Sequence, residues 1–325
     1  NPLLQPISPM EMSREFDCKA IIANAYLLKK NFGDEVCREG VHDFLGFEDT
    51  VITDSGAYQI LVYGNIEATQ EEIVAYQEAI DTDIGVILDV PTGGESSRER
   101  AEYSVEETLR RAKAAPDIFT RKDILWIGPV QGGNHLDLVS KSAREMAKLP
   151  FSIYALGSPT QVMEHYLFDY LVDMVVTAKK NLPIERPLHL FGAGHPFMFA
   201  LAVAMGCDIF DSAAYAIYAR EGKYMTDYGT ERLASLKYLP CTCRVCSQYT
   251  PRELLVLEAE ERTKALARHN LDVCFAEMRR IKQAIREGRL WELLELRARS
   301  HPSLLRALKT LGKYEDYLGR VLWPP

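Results

Sequence analysis

The sequence predicts an α/β fold built on a parallel sheet, and two observations lead to this prediction. Short runs rich in β-branched residues recur along the first two thirds of the chain, and helix-like stretches separate them. A steady alternation of strand and helix is typical of parallel strands joined by right-handed crossover helices. The 325 residues suffice for one large domain or two smaller ones.

Seven runs predict strands, because each is almost entirely apolar and ends in polar or glycine residues. Strands of this composition are typical of sheets that are covered on both faces. The predicted strands are residues 19–24, 50–54, 84–90, 124–131, 151–156, 188–191 and 207–211. The predicted helices between them are residues 70–79, 105–115, 136–147, 161–180 and 196–205.

Seven strands fit either a doubly wound sheet or a (β/α)8 TIM barrel, and the polar residues favour the barrel. Asp54, Asp89, Gln131, the stretch 155–157, the turn at 192–195 and Asp211 each lie at the C-terminal end of a different strand. Barrel enzymes assemble their catalytic groups at that face, whereas a doubly wound sheet binds ligands at one switch point. We expect the eighth strand to lie before Asn1.

Three cysteines and a histidine predict a structural zinc site. Cys241, Cys243 and Cys246 lie within six residues, and His269 follows in a helix-like stretch at 253–271. Three thiolates and one imidazole form a closed tetrahedral ligand set, with no open position for chemistry. The alternative is three buried or disulfide-bonded cysteines with an unrelated histidine. We predict one zinc ion per chain.

The change of pattern along the chain predicts three parts. Residues 1–222 form the barrel catalytic domain, residues 223–275 form a zinc-binding subdomain, and residues 276–325 form a helical segment that closes the catalytic domain.

The net charge of −8 argues against a generally basic nucleic-acid binder. One stretch is different, because residues 276–310 contain nine Lys or Arg against four Glu, a local charge of +5. A solvated helix face with intrahelical ion pairs explains such a stretch equally well.

The sparse, scattered cysteines indicate a reducing, cytoplasmic location. No apolar run is long enough to predict a membrane span.

Aspartates at two strand ends are candidates for catalysis. Asp54 opens the run DSGAYQ, and Asp211 lies in FDSAAYA; helix capping is the simpler explanation for either one alone. Two carboxylates at one barrel face fit cleavage at a glycosidic carbon, where one attacks and the other moves protons. Asp89 and Gln131 together could bind the hydrogen-bonding edge of a purine.

The motifs DSGAYQ, LDVPT, VQGG, ALGSP and FDSAAYA, followed by the cysteine cluster, occur in an order and spacing that resembles archaeal-type tRNA-guanine transglycosylases. The resemblance covers nearly the whole chain. It implies a (β/α)8 barrel with a zinc subdomain inserted near its C-terminal end. It also implies a homodimer that forms through the zinc region.

The resemblance implies roles for individual residues. Asp211 would attack C1′ of the ribose and Asp54 would act as general acid and base, although family usage sometimes reverses these two assignments. Asp89 and Gln131 would bind the edge of the base. The remaining substrate contacts would come from Ser55, Tyr58, and the backbone at Ala155 and Gly157.

The resemblance implies exchange of guanine at position fifteen of the tRNA D-arm for 7-cyano-7-deazaguanine, on the way to archaeosine. One alternative is a related enzyme that acts later in archaeosine formation. A second is a non-catalytic RNA-binding subunit, which would be expected to lack a catalytic carboxylate. A third is a barrel glycosidase, which would be expected to present Trp side chains near the strand ends.

Overall fold

The computed structural model describes residues 4–57, 68–93 and 96–321. Within them, seven strands form one parallel sheet whose order follows the chain from β1 to β7. The strands are β1 Ala20–Asn24, β2 Thr50–Asp54, β3 Ile84–Val86, β4 Leu125–Val130, β5 Ile153–Leu156, β6 Leu188–Leu190 and β7 Ile209–Phe210. Each of the seven lies within a predicted strand. The sequential order excludes the doubly wound arrangement, because that arrangement reverses its strand order at a switch point.

Helices lie between the strands and continue beyond the sheet. Those of the sheet region are α1 Pro9–Phe16, α2 Ala25–Phe32, α3 Asp34–Glu39, α4 Val41–Leu45, α5 Gln70–Ala79, α6 Arg98–Ile118, α7 Leu136–Met146, α8 Thr160–Glu164, α9 Phe168–Asn181, α10 Pro196–Ala204 and α11 Ala214–Arg220. The later helices are α12 Arg244–Gln248, α13 Pro251–Val256, α14 Ala259–Arg286, α15 Leu290–Ala298, α16 Pro302–Leu311 and α17 Glu315–Val321. An antiparallel hairpin, β8 Lys223–Thr226 and β9 Gly229–Arg232, lies between the two groups.

The sheet is curled, and side chains from its own strands pack together on its inner side. Ile52, Ile127 and Ile153, from β2, β4 and β5, pack in one cluster. Ile22 of β1 and Ile209 of β7 pack against the same cluster, although the two edge strands are not hydrogen-bonded to each other in the described part of the chain. The curl is shown by Asp54 in β2, whose pKa is affected by the charge of Asp211 after β7, because a flat sheet would place these two residues too far apart. The closed eight-stranded barrel remains a prediction.

The other side of the sheet packs against the helices. Alternate strand residues such as Trp126, Tyr154 and Leu188 point there and join the largest hydrophobic cluster, together with α6, α7, α9 and α10. The alternation of side chains along a strand therefore separates an inner set from a helix-covered set.

Two predicted helices are interrupted. The predicted helix at 161–180 consists of α8 and α9, because Tyr166 between them adopts a left-handed φ of 57°. The Leu167 N–H donates to the Val162 carbonyl, which closes α8 in the manner of a Schellman motif. The predicted helix at 253–271 consists of α13 and the start of α14. Arg262 satisfies carbonyl groups at the end of α13, including that of Leu257.

Helix α14 is the longest of the described helices, with 28 residues. It spans the predicted boundary at residue 275, so His269 of the metal cluster and the first residues of the predicted helical segment belong to the same helix. Its Glu277 is fully buried and accepts two hydrogen bonds from the Arg297 guanidinium, each at 2.7 Å, which fixes α15 against α14. None of the helices in the described ranges has the length and apolar character needed to cross a lipid bilayer.

Candidate active site and metal centre

The polar residues predicted at strand ends lie along the edge of the sheet that the C-terminal ends of its strands form. Asn24 and Asp54 end β1 and β2 and are direct neighbours in the strand register. The Asn24 side-chain amide donates to Asp54 Oδ2 at 3.0 Å, and its carbonyl oxygen accepts the Leu27 N–H at the start of α2. The Gly56 N–H also donates to Asp54 Oδ2, at 3.3 Å. The Asp54 carboxyl group is therefore held by a side chain and by its own loop.

Three carboxyl groups interact at this edge. Loss of solvation, together with the nearby charges of Asp89 and Asp211, raises the pKa of Asp54 to about 7. Burial also raises the pKa of Asp89, to about 6, against the opposing effect of its hydrogen bond with Gln131. Carboxyl groups with pKa values near neutrality are typical of sites that transfer protons.

Asp89 and Gln131 form one buried network. Gln131 Nε2 donates to Asp89 Oδ2 at 2.5 Å, while Gln131 Oε1 accepts from the Thr92 N–H at 3.1 Å and the Thr92 hydroxyl at 3.0 Å. The Ser158 hydroxyl donates to the same oxygen at 3.3 Å. Because a backbone N–H can only donate, the orientation of the Gln131 amide is fixed. The second Nε2 hydrogen has no acceptor among the described residues.

Gly157 and Ala155 bring β5 against this network. A Cβ atom at Gly157 would lie 2.1 Å from Gln131 Nε2, so only glycine allows this approach. The Gly157 N–H donates to the Val130 carbonyl, at 2.8 Å. Ala155 is fully buried in β5, between β4 and β6 in the register.

Ser55 and Tyr58 are the two remaining predicted substrate contacts. The Ser55 hydroxyl is buried and has no hydrogen-bond partner among the described residues. A buried polar atom without a partner beside Asp54 is suited to a ligand. Tyr58 lies outside the described residues.

Asp211 lies just beyond β7 and is held by the neighbouring strand. His189 Nε2 lies 2.8 Å from Asp211 Oδ1, and the Gly192 N–H donates to the same oxygen at 3.1 Å. The loop of Asp211 also packs closely on the turn after β6, where a Cβ at Gly194 would lie 1.9 Å from Ser212 Cβ. The position of the Asp211 side chain therefore depends on β6 and the turn after it as much as on β7.

The four predicted metal ligands come together. One donor atom from each of Cys241, Cys243, Cys246 and His269 lies within 4.8 Å of the others. His269 Nδ1 is 3.5 Å from Cys243 Sγ and 3.4 Å from Cys246 Sγ. A tetrahedron with metal–sulfur bonds of about 2.3 Å and a metal–nitrogen bond of about 2.0 Å has edges of that length. The cluster could hold a metal ion.

Neighbouring groups orient the His269 ring toward the cysteines. His269 Nε2 lies 2.9 Å from the Met225 carbonyl, which can only accept, so Nε2 carries the hydrogen and the Nδ1 lone pair faces the cysteines. The Tyr224 ring stacks on His269, with centroids 3.7 Å apart, and its hydroxyl lies 3.2 Å from Cys246 Sγ. A histidine ligand oriented by a backbone carbonyl is typical of protein metal sites.

Comparisons with known proteins show the family of the chain. The family model described as queuine tRNA-ribosyltransferase matches residues 1–303. The chain belongs to this family. A tRNA-guanine(15) transglycosylase of Aeropyrum pernix is 54% identical over 299 residues, which cover 92% of this chain and 58% of that protein. A protein of the same name from Methanocaldococcus jannaschii is 48% identical over 325 residues, 98% of this chain and 49% of that protein. The chain thus spans about half the length of the curated relatives it matches.

The sequence of this queuine tRNA-ribosyltransferase family member gave signals that our sequence analysis did not use. Asn24, His189, Thr92 and Ser158 all contact predicted site residues, and none was predicted. His189 is the one polar residue in the apolar strand LHLF, and Asn24 ends another apolar strand. A polar residue inside a buried strand needs a partner, which is the signal that could have found them.

We predict that Cys243→Ala removes the metal and destabilises this family member. A closed ligand set contributes to folding, so we expect less than one metal ion per chain and a melting temperature lower by about 10 °C. Elemental analysis and thermal unfolding of the full-length protein measure both. Cys37→Ala is the control, because Cys37 lies in α3, outside the cluster. An unchanged metal content in the Cys243 variant would contradict the assignment.

Proposed function

We propose that this chain is the catalytic part of a tRNA base-exchange enzyme. It replaces guanine in the tRNA D-arm by 7-cyano-7-deazaguanine, through a covalent ribosyl-aspartate intermediate, in archaeosine biosynthesis. The names of its relatives, which specify guanine 15 of tRNA, support the substrate. The observation that carries the proposal is the group of three interacting carboxyl groups at one edge of the sheet.

The chemistry follows from two displacements at one carbon. Asp211 attacks C1′ as the bond to N9 of guanine breaks, and protonated Asp54 gives its proton to the departing base. The incoming base loses its N9 proton to Asp54 and displaces Asp211 from C1′. Two inversions retain the configuration, and a carboxylate serves as both nucleophile and leaving group. We expect the two carboxyl groups to lie about 5 Å apart, as in retaining glycosidases.

Asp89 and Gln131 select the base. Ionised Asp89 accepts from the ring N–H and the exocyclic amine of guanine, and the free Nε2 hydrogen of Gln131 donates to the carbonyl oxygen. The fixed orientation of the Gln131 amide disfavours adenine, which presents a donor at that position. Guanine in folded tRNA is stacked, so it must leave the stack to reach these groups.

The remaining parts support the catalytic site. We propose that residues 1–222 form a closed barrel, that residues 223–275 form a subdomain around one structural zinc ion, and that residues 276–325 complete the catalytic domain. Three thiolates and one imidazole are the ligand set that zinc prefers, and the set leaves no position for substrate.

Basic residues of the segment 276–310 are proposed contacts for tRNA phosphates. Part of its charge is neutralised, since Arg280 and Arg297 pair with Glu277 and Asp227. Lys282, Arg286, Arg306 and Lys309 are exposed, and the described residues offer them no ion-pair partner within 4.0 Å. These side chains are free to contact phosphates.

We further propose a cytoplasmic homodimer that forms through the zinc region. Three large hydrophobic side chains are exposed near it, at Tyr238, Leu255 and Val256. Exposed apolar groups of this kind are suited to burial against a second copy. A non-catalytic RNA-binding subunit is the weaker alternative, because such a subunit has no need of three interacting carboxyl groups.

The decisive experiment incubates the full-length protein with a tRNA transcript and radiolabelled 7-cyano-7-deazaguanine or guanine, and then maps the labelled nucleotide. We expect incorporation at position fifteen. Absence of incorporation with both bases, or incorporation only in the anticodon, would overturn the proposal.

We predict that Asp211→Asn lowers guanine exchange by more than about 1000-fold, because the amide is a poor nucleophile. The affinity for tRNA, measured by filter binding, should stay within about twofold of the wild-type value. Peptide mapping of the denatured covalent complex identifies the attacking residue. Attachment at Asp54 would reverse the two assignments.

We predict a maximum of guanine release between about pH 6 and pH 7. Asp54, with a pKa of about 7, must be protonated to help guanine leave, so release falls as pH rises through that value. Asp89, with a pKa of about 6, must be ionised to bind the base, so release falls as pH drops below that value. Single-turnover release of labelled guanine from tRNA measures this profile.

Two variants are controls for the pH profile. Asp54→Asn should abolish release at every pH, whereas Asp117→Asn, on the exposed surface of α6, should keep the wild-type profile. A rate that keeps rising up to pH 9 in the wild type would exclude Asp54 as the proton donor.

We predict that Gly157→Ala weakens binding of the incoming base. The added methyl group displaces the Gln131 amide, and a displacement of about 1 Å in such a site costs up to about 100-fold in activity. The KM for the base should therefore rise. Gly312→Ala is the matched control, since nothing lies within 4 Å of the added Cβ. Equal KM values in both variants would contradict the fixed contact between Gly157 and Gln131.

A further inference from the structure

His189 occupies an unusual position in β6. It is fully buried, and it is the central residue of a strand whose two neighbours, Leu188 and Leu190, point to the helix-covered side. His189 points the other way, toward the inner side, where its ring lies 4.6 Å from that of Phe191. In the register it is paired with Ile209, two residues before Asp211. The strand pairing itself thus directs the imidazole at Asp211.

The two ring nitrogens of His189 have different surroundings. Nε2 lies 2.8 Å from Asp211 Oδ1, while Nδ1 is buried and has no hydrogen-bond partner in the part of the chain that the structure describes. A hydrogen on Nδ1 would be buried without an acceptor, which is costly. The tautomer with its hydrogen on Nε2 is therefore favoured, and Nε2 donates to Asp211 Oδ1.

The two oxygens of Asp211 are consequently different. Oδ1 accepts from His189 and from the Gly192 N–H. No hydrogen bond to Oδ2 is found among the described residues, and the side chain is 24% exposed. One oxygen is held, and the other is free to meet a substrate.

We propose that His189 is a positioning residue that holds Asp211 Oδ1 and presents Oδ2 to the ribose carbon. This inference rests on the proposed function. In the first displacement a bond forms between Oδ2 and C1′, and the electron pair of the C1′–N9 bond leaves with guanine, which takes the Asp54 proton. Oδ1 becomes the carbonyl oxygen of the ester and keeps both donors.

The donor on Oδ1 acts mainly in the second displacement. There the C1′–Oδ2 bond breaks, its electron pair returns to Asp211, and negative charge develops again on the carboxylate. A hydrogen bond is stronger to a carboxylate than to an ester carbonyl, so His189 favours the departure of Asp211. Without it, the covalent intermediate should persist.

The same geometry argues against a purely structural role for His189. A buried ring nitrogen without a partner lowers stability, and an aromatic hydrocarbon ring would fill the same space without that cost. If packing were the only requirement, phenylalanine would serve at least as well. The unpartnered Nδ1 is a cost in stability that packing does not explain and that a group acting on Asp211 would explain.

The test compares His189→Phe, His189→Gln and His189→Met in the full-length protein. Gln and Met have similar length and flexibility, but only Gln keeps an N–H donor that can reach Asp211. We expect the Phe and Met variants to break down the covalent tRNA adduct about 10- to 100-fold more slowly, the effect of losing one hydrogen bond to a charged group. We expect Gln to restore the rate to within about fivefold of wild type.

Three readouts separate this role from a general loss of structure. The affinity for tRNA, measured by filter binding, should stay within about twofold. The adduct trapped on denaturing gels should increase in the Phe and Met variants, and the melting temperature of the Phe variant should not fall. His165→Phe is the control, because His165 is exposed and its Nδ1 lies 2.8 Å from a carbonyl of its own helix.

The outcomes are distinguishable. A wild-type protein that forms no adduct and exchanges no base overturns the proposed function and this inference together. An active wild type whose Phe and Met variants break down the adduct at the wild-type rate overturns the role of His189 alone. If the Phe variant fails to fold, the comparison of Gln with Met decides, and equal rates in those two variants overturn the inference.

Discussion

The curl of the parallel sheet is the constraint on which the site depends. Asp54 belongs to β2 and Asp211 follows β7, five strands away in the sheet order. In a flat sheet, strands about 4.8 Å apart would separate them by more than 20 Å. Their charges interact because the strands curl around a shared set of inner side chains, which includes Ile22 and Ile209 from the two edges. Packing of hydrophobic side chains thus creates the electrostatic coupling of the carboxyl groups.

That coupling determines the protonation of the site near neutral pH. Three carboxylates in a poorly solvated cavity repel one another, and the repulsion is relieved when one of them keeps its proton. Asp54 has the higher of the two raised pKa values, because it experiences burial together with the charges of both other aspartates. Asp211 differs from Asp54 in accepting hydrogen bonds from His189 and from the Gly192 N–H. Asp54 and Asp211 therefore have different environments, as their proposed roles of proton donor and nucleophile require.

The sequence predicted the elements whose signal is local and missed those that depend on neighbours. Strand positions followed from apolar runs, and the metal cluster followed from ligand type and spacing. The break at Tyr166 was not predictable, because its left-handed backbone depends on local turn hydrogen bonds and on ring contacts with Phe168, Phe197 and His301. Asn24 and His189 were missed for the same reason, since their partners lie 30 and 22 residues away.

Helix α14 connects the cysteine–histidine cluster to the loop that contains Asp211. His269 is a metal-ligand candidate, and the next residue, Asn270, donates to the Tyr215 carbonyl at 3.1 Å, at the start of the helix that follows Asp211. One turn later, Cys274 Sγ lies 3.6 Å from the carbonyl of Gly194, in the turn that packs on Ser212. The helix that carries His269 therefore contacts both loops around Asp211. A metal bound at His269, although it would have no open coordination position, would thus influence the position of Asp211, the proposed nucleophile, through this helix.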